Sequence, residues 1–188
     1  MTSKGRNPKV LTGPTILTIL RMGLAIVFAS LAMLPDPWAK AAALIIFVIA
    51  ATTDKIDGIW ARKSSQVTDL GAFLDPLADK MLVNLAFLIL VYQNIVPLWV
   101  FAIILVRDFA IDGMRMAAAR RQMTIAASFC GKLKTTAQML AIAIFLLNTI
   151  IDSQVINIIG NIILYIALAL TLLSGLDYLI KGQKQITK

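Results

Sequence analysis

Long apolar stretches alternate with short polar breaks along this chain. Each stretch is about 20 residues long, the length that an α-helix needs to cross the hydrocarbon core of a bilayer. The breaks contain proline, asparagine or charged residues, as in Pro35-Asp36-Pro37, Arg120-Arg121 and Asp152-Ser153. The pattern predicts transmembrane helices near residues 16–34, 38–61, 72–92, 97–119, 133–151 and 155–177.

The composition favours the same interpretation. Hydrophobic residues make up 59% of the 188 residues and the mean hydropathy is +0.83, whereas an ordinary soluble domain is roughly 45–50% apolar. The six helices use nearly the whole chain, so we expect an all-α bundle of six transmembrane helices and no soluble domain. The expected organisation is an interfacial arm over residues 1–13, the six-helix domain over 14–181 and a cytoplasmic tail over 182–188.

Basic residues are concentrated in alternate connections between the predicted helices. They precede the first helix, follow the second and fourth, and fill the C-terminal tail, whereas the other turns hold only Asp36, Lys40 and Asp152. The positive-inside rule therefore places both termini in the cytoplasm. A net charge of +8 suits attraction to anionic membrane lipids. Nucleic acid is not an expected partner, because no basic stripe lies on a soluble face.

Aspartates and small residues interrupt the apolar pattern between residues 54 and 79. The run reads Asp-x2-Asp-Gly-x2-Ala-Arg-x8-Gly-x3-Asp-x3-Asp, with its carboxylates at Asp54, Asp57, Asp75 and Asp79. A charged side chain at membrane depth costs roughly 2.5–3.5 kcal/mol even on lenient scales, so such residues usually mark a functional site. The run flanks the connection between the second and third helices, which places the site at their cytoplasmic ends.

The spacing within the run puts both carboxylates of each helix on one face. If the two helices are antiparallel neighbours, four carboxylates converge, and they repel one another unless cations neutralise them. An oxygen-only ligand set favours hard ions, Mg²⁺ first and then Mn²⁺ or Ca²⁺. Two such ions would suit a pyrophosphate substrate. Gly58, Ala61 and Gly71 would allow close approach of a ligand to the backbone, and Arg62 would bind a phosphate in a forked contact.

Other interpretations of these residues stay open at this point. Gly58 and Ala61, taken alone, would more often serve helix packing. A single intramembrane aspartate also occurs in proton relays and ion pathways, so a cation- or proton-coupled transporter is the alternative class of function. Because the chain contains no histidine, an enzyme would need another side chain as its general base.

The run from Asp54 to Asp79 resembles the signature of the CDP-alcohol phosphotransferase family at every fixed position. The resemblance implies a six-helix membrane enzyme, commonly a homodimer, that displaces CMP from a CDP-linked lipid or alcohol with a second alcohol. It implies divalent metal, Mg²⁺ or Mn²⁺, held as two ions by Asp54, Asp57, Asp75 and Asp79, with Asp79 also acting as the base. The residues that it implies for CDP-diacylglycerol binding are Thr18, Asp54, Asp57, Gly58, Arg62, Thr68 and Gly71.

Segments outside the signature, beginning at Pro14, Arg107, Gly131 and Ser174, are similar to bacterial family members whose acceptor is sn-glycerol 3-phosphate. The chain departs from that branch at Thr15, where asparagine is usual. The implied reaction takes place at the cytoplasmic face of a bacterial plasma membrane and gives phosphatidylglycerophosphate and CMP. Inositol-phosphate, serine and cardiolipin-forming transferases are the alternatives within the family.

A dianionic acceptor needs cations near the metals. Arg107 and Arg115 share a helical stripe and can face one pocket, and Lys132 at the start of the next span can join them. We therefore expect these three residues to bind glycerol 3-phosphate. Asp108 lies beside Arg107 in the sequence, so an internal ion pair is the competing interpretation there.

Overall fold

A computed structural model describes residues 13–61, 69–120 and 129–186, with side chains described for 19–52, 80–116, 118 and 131–178. These residues form six helices and no strand, as the sequence predicts. The helices are α1 (Gly13–Ala32), α2 (Pro37–Ala61), α3 (Asp69–Tyr92), α4 (Leu98–Arg120), α5 (Phe129–Ile151) and α6 (Gln154–Ile186). The last helix runs nine residues beyond the predicted end at 177 and includes most of the segment expected to be a tail.

Three connections are short, and each has a clear local cause. Pro37 opens α2, where its missing N–H costs nothing, and the carbonyl of Asp36 accepts bonds from the backbone of Ala39 and Lys40 at 3.1 Å. Asn94 and Asp152 adopt positive φ angles of 59° and 51°, a conformation that asparagine and aspartate tolerate better than most residues. These turns join α1 to α2, α3 to α4 and α5 to α6 at one end of the bundle.

The core is made of aromatic rings packed among small residues. Phe28 of α1 lies 5.6 Å from Phe47 of α2, and Phe87 of α3 lies 6.0 Å from Phe101 of α4, measured between ring centroids. Helices α5 and α6 form the most extensive pair, and α4 packs on α6 and α3. A Cβ atom at Gly160 of α6 would lie 2.7 Å from the Phe145 ring, so this crossing requires glycine.

Two helical segments among the described residues, Gly131–Ile151 and Gln154–Tyr178, are long and apolar enough to cross a membrane. Only 33% and 28% of their apolar windows are buried inside the protein. A core helix of a soluble protein would be mostly buried, so the exposed apolar surface of this pair favours contact with lipid. Trp38, Tyr92 and Trp99 are also exposed and lie close to the short turns, as aromatic residues do at a membrane interface.

Candidate functional site

The aspartate run lies in the C-terminal turns of α2 and the N-terminal turns of α3. Asp54, Asp57 and Gly58 lie in the last turns of α2, and Gly71 lies in the first turn of α3. Asp75 and Asp79 follow within α3, and Thr18 lies in α1. The side chains of these residues, and all of Arg62 and Thr68, fall outside the described part of the structure. The predicted metal cluster and CDP-diacylglycerol site therefore stay predictions.

A cavity of about 480 Å³ lies between α3, α4, α5 and α6, in the half of the bundle away from the short turns. Lys80, Val83 and Asn84 of α3 are part of its described lining, and Lys80 is the residue after Asp79 in the sequence. In the described part of the lining, the charged residues are Lys80, Arg107, Asp108, Asp112, Arg115, Lys132 and Lys134. Among the described residues, five cationic side chains against two carboxylates give this lining a positive excess, which favours an anionic ligand.

All three cations expected to bind the acceptor line this cavity. Arg107 and Arg115 of α4 are brought to the same wall by their helical spacing. Lys132 is exposed and lies in the first turn of α5. The structure thus places these three residues together, and their role in substrate binding remains a prediction.

Arg107 is held by its neighbours on two helices. Its Nη1 donates to Asp108 Oδ1 at 3.0 Å, and its Nη2 donates to Ser174 Oγ of α6 at 2.7 Å. The side chain is only 13% exposed. Its Nε is buried with no hydrogen-bond partner among the described residues. The ion pair with Asp108 that competed with phosphate binding at this position is therefore present.

Lys134 lines the cavity but was not among the residues expected to bind the acceptor; the sequence suggested only that its side chain snorkels. It is buried, and its Nζ donates to Asp108 Oδ1, so Asp108 accepts from Lys134 of α5 and from Arg107 of α4. A buried charge that is paired and hydrogen-bonded avoids most of the desolvation cost of an isolated one. The sequence contains a pattern that indicates this position. Gly131, Lys134, Thr135 and Gln138 share one face of α5, and all four line the cavity.

A second ion pair joins Lys80 of α3 to Asp112 of α4. Both side chains are about one-third exposed, at 34% and 33%, so the pair adds little stability by itself. Its importance is positional, because Lys80 directly follows Asp79. The pair ties the helix that carries the predicted base to the helix that carries the predicted acceptor-binding arginines.

Gln138, which lines the cavity, joins a buried group of hydrogen bonds with Thr171 and Ser174 of α6. Gln138 is buried and donates to Thr171 Oγ1 at 3.4 Å, and the Thr171 hydroxyl donates to the Ala167 carbonyl at 2.6 Å. Ser174 donates to the Thr171 carbonyl at 3.1 Å. These bonds satisfy buried polar groups that would otherwise be costly between α5 and α6.

Arg115 is bound to α6 through a tyrosine. Its Nη2 donates to the Tyr178 hydroxyl, and its guanidinium carbon lies 4.9 Å from the centre of the Tyr178 ring. Arg115 lines the cavity and is exposed, whereas Tyr178 is buried. A fixed, accessible guanidinium is suited to a forked contact with a phosphate.

Sequence comparisons agree with the resemblance carried by the aspartate run. The profile of the CDP-alcohol phosphatidyltransferase family matches residues 11–173. A Bacillus subtilis (strain 168) protein named CDP-diacylglycerol–glycerol-3-phosphate 3-phosphatidyltransferase is 37% identical over 181 residues, which cover 90% of this chain and 94% of that protein. Proteins of the same name from Escherichia coli (strain K12) and Shigella flexneri are each 40% identical over 171 residues, which cover 88% of this chain and 92% of each relative.

Proposed function

Since the chain belongs to the CDP-alcohol phosphatidyltransferase family, we propose that it transfers the phosphatidyl group of CDP-diacylglycerol to sn-glycerol 3-phosphate. The products are phosphatidylglycerophosphate and CMP, so the enzyme serves anionic phospholipid synthesis. The observation that carries this proposal is the cavity whose described lining holds the cations Lys80, Arg107, Arg115, Lys132 and Lys134. The names of the relatives at 37% and 40% identity support the same acceptor.

The acceptor is assigned to the cavity because its chemistry matches the lining. Glycerol 3-phosphate carries a dianionic phosphate and two small hydroxyl groups. Arg115 and Lys132 offer exposed cationic groups to the phosphate, and Arg107 adds a third positive charge from the wall. Serine brings no phosphate and would leave this positive excess unmatched.

The metal site is assigned to Asp54, Asp57, Asp75 and Asp79. Four carboxylates without histidine or thiolate are a donor set that fits Mg²⁺ or Mn²⁺ better than zinc or copper. Two bound ions would neutralise the pyrophosphate and lower the cost of charge on the departing CMP. Thr18, Gly58, Arg62, Thr68 and Gly71 are assigned to the CDP moiety.

The chemistry is a substitution at phosphorus. Asp79 accepts the proton of the acceptor's 1-hydroxyl, and that oxygen attacks the β-phosphorus, which is esterified to diacylglycerol. A new P–O bond forms, the bond to the bridging oxygen breaks, and CMP leaves with the bonding electrons. The proton passes from Asp79 to solvent, so atoms and charge balance.

The proposed setting is a bacterial plasma membrane crossed by all six helices, with both termini and the cavity at the cytoplasmic face. The apolar exposed surface of α5 and α6 supports contact with lipid. CDP-diacylglycerol would enter sideways from the bilayer, while glycerol 3-phosphate and CMP would use the aqueous opening. We expect a homodimer, as the family resemblance implies.

The test is an acceptor panel with purified protein in lipid nanodiscs, CDP-diacylglycerol and Mg²⁺ or Mn²⁺. CMP release is scored with glycerol 3-phosphate, inositol phosphate, serine and phosphatidylglycerol. We expect rapid release with glycerol 3-phosphate alone. Preference for another acceptor would refute the substrate assignment, and no CMP release with any acceptor would favour the transporter alternative.

A further inference from the structure

Tyr178 contacts both arginines of the cavity and has no role in the transfer chemistry described above. Its ring centre lies 4.9 Å from the guanidinium carbon of Arg115 and 5.9 Å from that of Arg107. Its hydroxyl accepts a hydrogen bond from Arg115 Nη2. The residue is 3% exposed, so its position is fixed by the packing of α6.

Two guanidinium groups in one cavity repel each other when no anion is bound. The electron-rich face of an aromatic ring attracts a cation within about 6 Å of its centre. One tyrosine ring within that range of both groups therefore offsets part of their repulsion. It also restricts the rotamers of two side chains that are otherwise among the most mobile in proteins.

Two neighbouring residues of α6, Ser174 and Gly175, also lie close to Arg107. Ser174 accepts from Arg107 Nη2 at 2.7 Å. A Cβ atom at Gly175 would lie 3.4 Å from Arg107 Cγ and 3.6 Å from its Nε, so the arginine stem runs against the helix surface. Ser174, Gly175 and Tyr178 fall on one side of a helix, being one and four positions apart. The α6 surface thus holds both arginines of α4.

We propose that Tyr178 is a positioning residue for the acceptor phosphate and acts through Arg107 and Arg115. This inference rests on the proposed function, in which those arginines bind glycerol 3-phosphate. Tyr178 fixes the two cations before the acceptor arrives, so less conformational freedom is lost on binding. The described residues assigned to CDP-diacylglycerol lie on other elements, namely α1, α2 and the first turn of α3, so Tyr178 is expected to serve the acceptor alone.

The first experiment compares Tyr178→Phe and Tyr178→Leu by steady-state kinetics in nanodiscs. Tyr178→Phe keeps the ring and loses the hydroxyl, so the KM for glycerol 3-phosphate should rise about fivefold. Tyr178→Leu loses both ring contacts as well, and the KM should rise on the order of 30-fold. The KM for CDP-diacylglycerol should change less than about twofold in both, because the lost contacts serve one substrate.

A matched control comes from the same helix. Tyr165 is 46% exposed, and its ring centre lies 6.3 Å from that of Trp99, outside the cavity. Tyr165→Leu should leave both KM values unchanged. Inorganic phosphate gives a second readout, since its inhibition constant against glycerol 3-phosphate should rise in parallel with the KM in the Tyr178 variants. Equal changes in both substrates' KM values would overturn the inference.

A double-mutant cycle separates positioning from general packing. In an Arg115→Gln background, Tyr178→Phe should have a much smaller effect on the KM for glycerol 3-phosphate, because the hydrogen bond between the hydroxyl and Arg115 is already gone. A fivefold effect that persists in that background would overturn the inference, and this arm holds even if Tyr178→Leu fails to fold. If Arg115→Gln alone leaves that KM unchanged, the acceptor site itself is refuted. If Arg115→Gln raises it and neither Tyr178 variant does, only the positioning role fails.

Discussion

Arg107 and Arg115 face the same cavity, yet their surroundings give them different tasks. Arg107 is bound to Asp108 and Ser174 and is largely buried, whereas Arg115 is exposed and bound to a neutral tyrosine. A guanidinium already paired with a carboxylate gains less from a phosphate than one that is not. Arg115 is therefore the stronger candidate for direct contact with the acceptor.

Replacing Arg115 tests that difference. Arg115→Gln should raise the KM for glycerol 3-phosphate about 10- to 100-fold, since a charge-assisted contact of roughly 1.5–3 kcal/mol is lost. The KM for CDP-diacylglycerol should stay within about twofold. Lys40→Gln is a suitable control, because Lys40 bonds to the Thr149 carbonyl at the opposite end of the bundle. Equal effects on both substrates would indicate a structural arginine.

Asp79 is expected to differ from the other three aspartates of the run. As a base it would serve the attacking hydroxyl, and loss of a positioned base typically lowers the rate by about 10²–10⁴-fold. Asp79→Asn should therefore depress kcat strongly while Mn²⁺ binding, followed by electron paramagnetic resonance, stays near normal. Asp36→Asn, at a turn on the far side, should affect neither. A variant that has chiefly lost Mn²⁺ would show that Asp79 is a ligand instead.

At the scale of the helices, the α5–α6 crossing is the most demanding contact. An alanine methyl at position 160 would lie 2.7 Å from Phe145 Cε1, well inside van der Waals contact. Gly160→Ala should destabilise the protein by about 1–3 kcal/mol through overpacking, measured as a lower Tm in detergent. Gly23→Ala is the control, because a Cβ there meets nothing within 4 Å. Adding Phe145→Leu should recover part of the loss, and no recovery would place the strain elsewhere.

The helices were predictable from sequence because their causes are local. Apolar stretches of about 20 residues and breaks at Pro37, Asn94 and Asp152 set the beginnings and ends to within a few residues. The predicted span 155–177 agrees with the apolar segment Gln154–Tyr178; the polar last turns of α6 lie outside it, because hydropathy identifies only the apolar part of a helix. Helix-forming glutamines and lysines extend α6 to Ile186.

The cavity was predictable only in part. Its arginines lie on one stripe of one helix, which spacing reveals. The pairs Lys80–Asp112 and Lys134–Asp108 join residues 32 and 26 positions apart, and Tyr178 meets Arg115 across 63 positions. Such partners depend on how whole helices rotate and cross, which no local pattern specifies.

At the scale of the whole molecule, the proposed activity depends on metal held only by carboxylates. Chelation should abolish CMP release, and Mg²⁺ or Mn²⁺ should restore it. Asp57→Asn removes one anionic ligand and should weaken Mn²⁺ affinity, with activity partly recovered at higher metal concentration. Substantial turnover in excess chelator would contradict the metal assignment for the entire site.

The three short turns have a mechanical consequence. They join the helices in pairs at one end of the bundle. At the same end, Lys40 of α2 donates to the Thr149 carbonyl of α5, and Gln93 in the α3–α4 turn donates to the Ala32 carbonyl of α1. The cavity lies toward the other end, so we expect changes in helix angle to displace that end of each pair most. For a helix of roughly 30 Å, a tilt of only a few degrees about the joined end displaces the other end by about 1–2 Å. Substrate entry and product release can therefore be served by small changes in helix angle, without any helix unfolding.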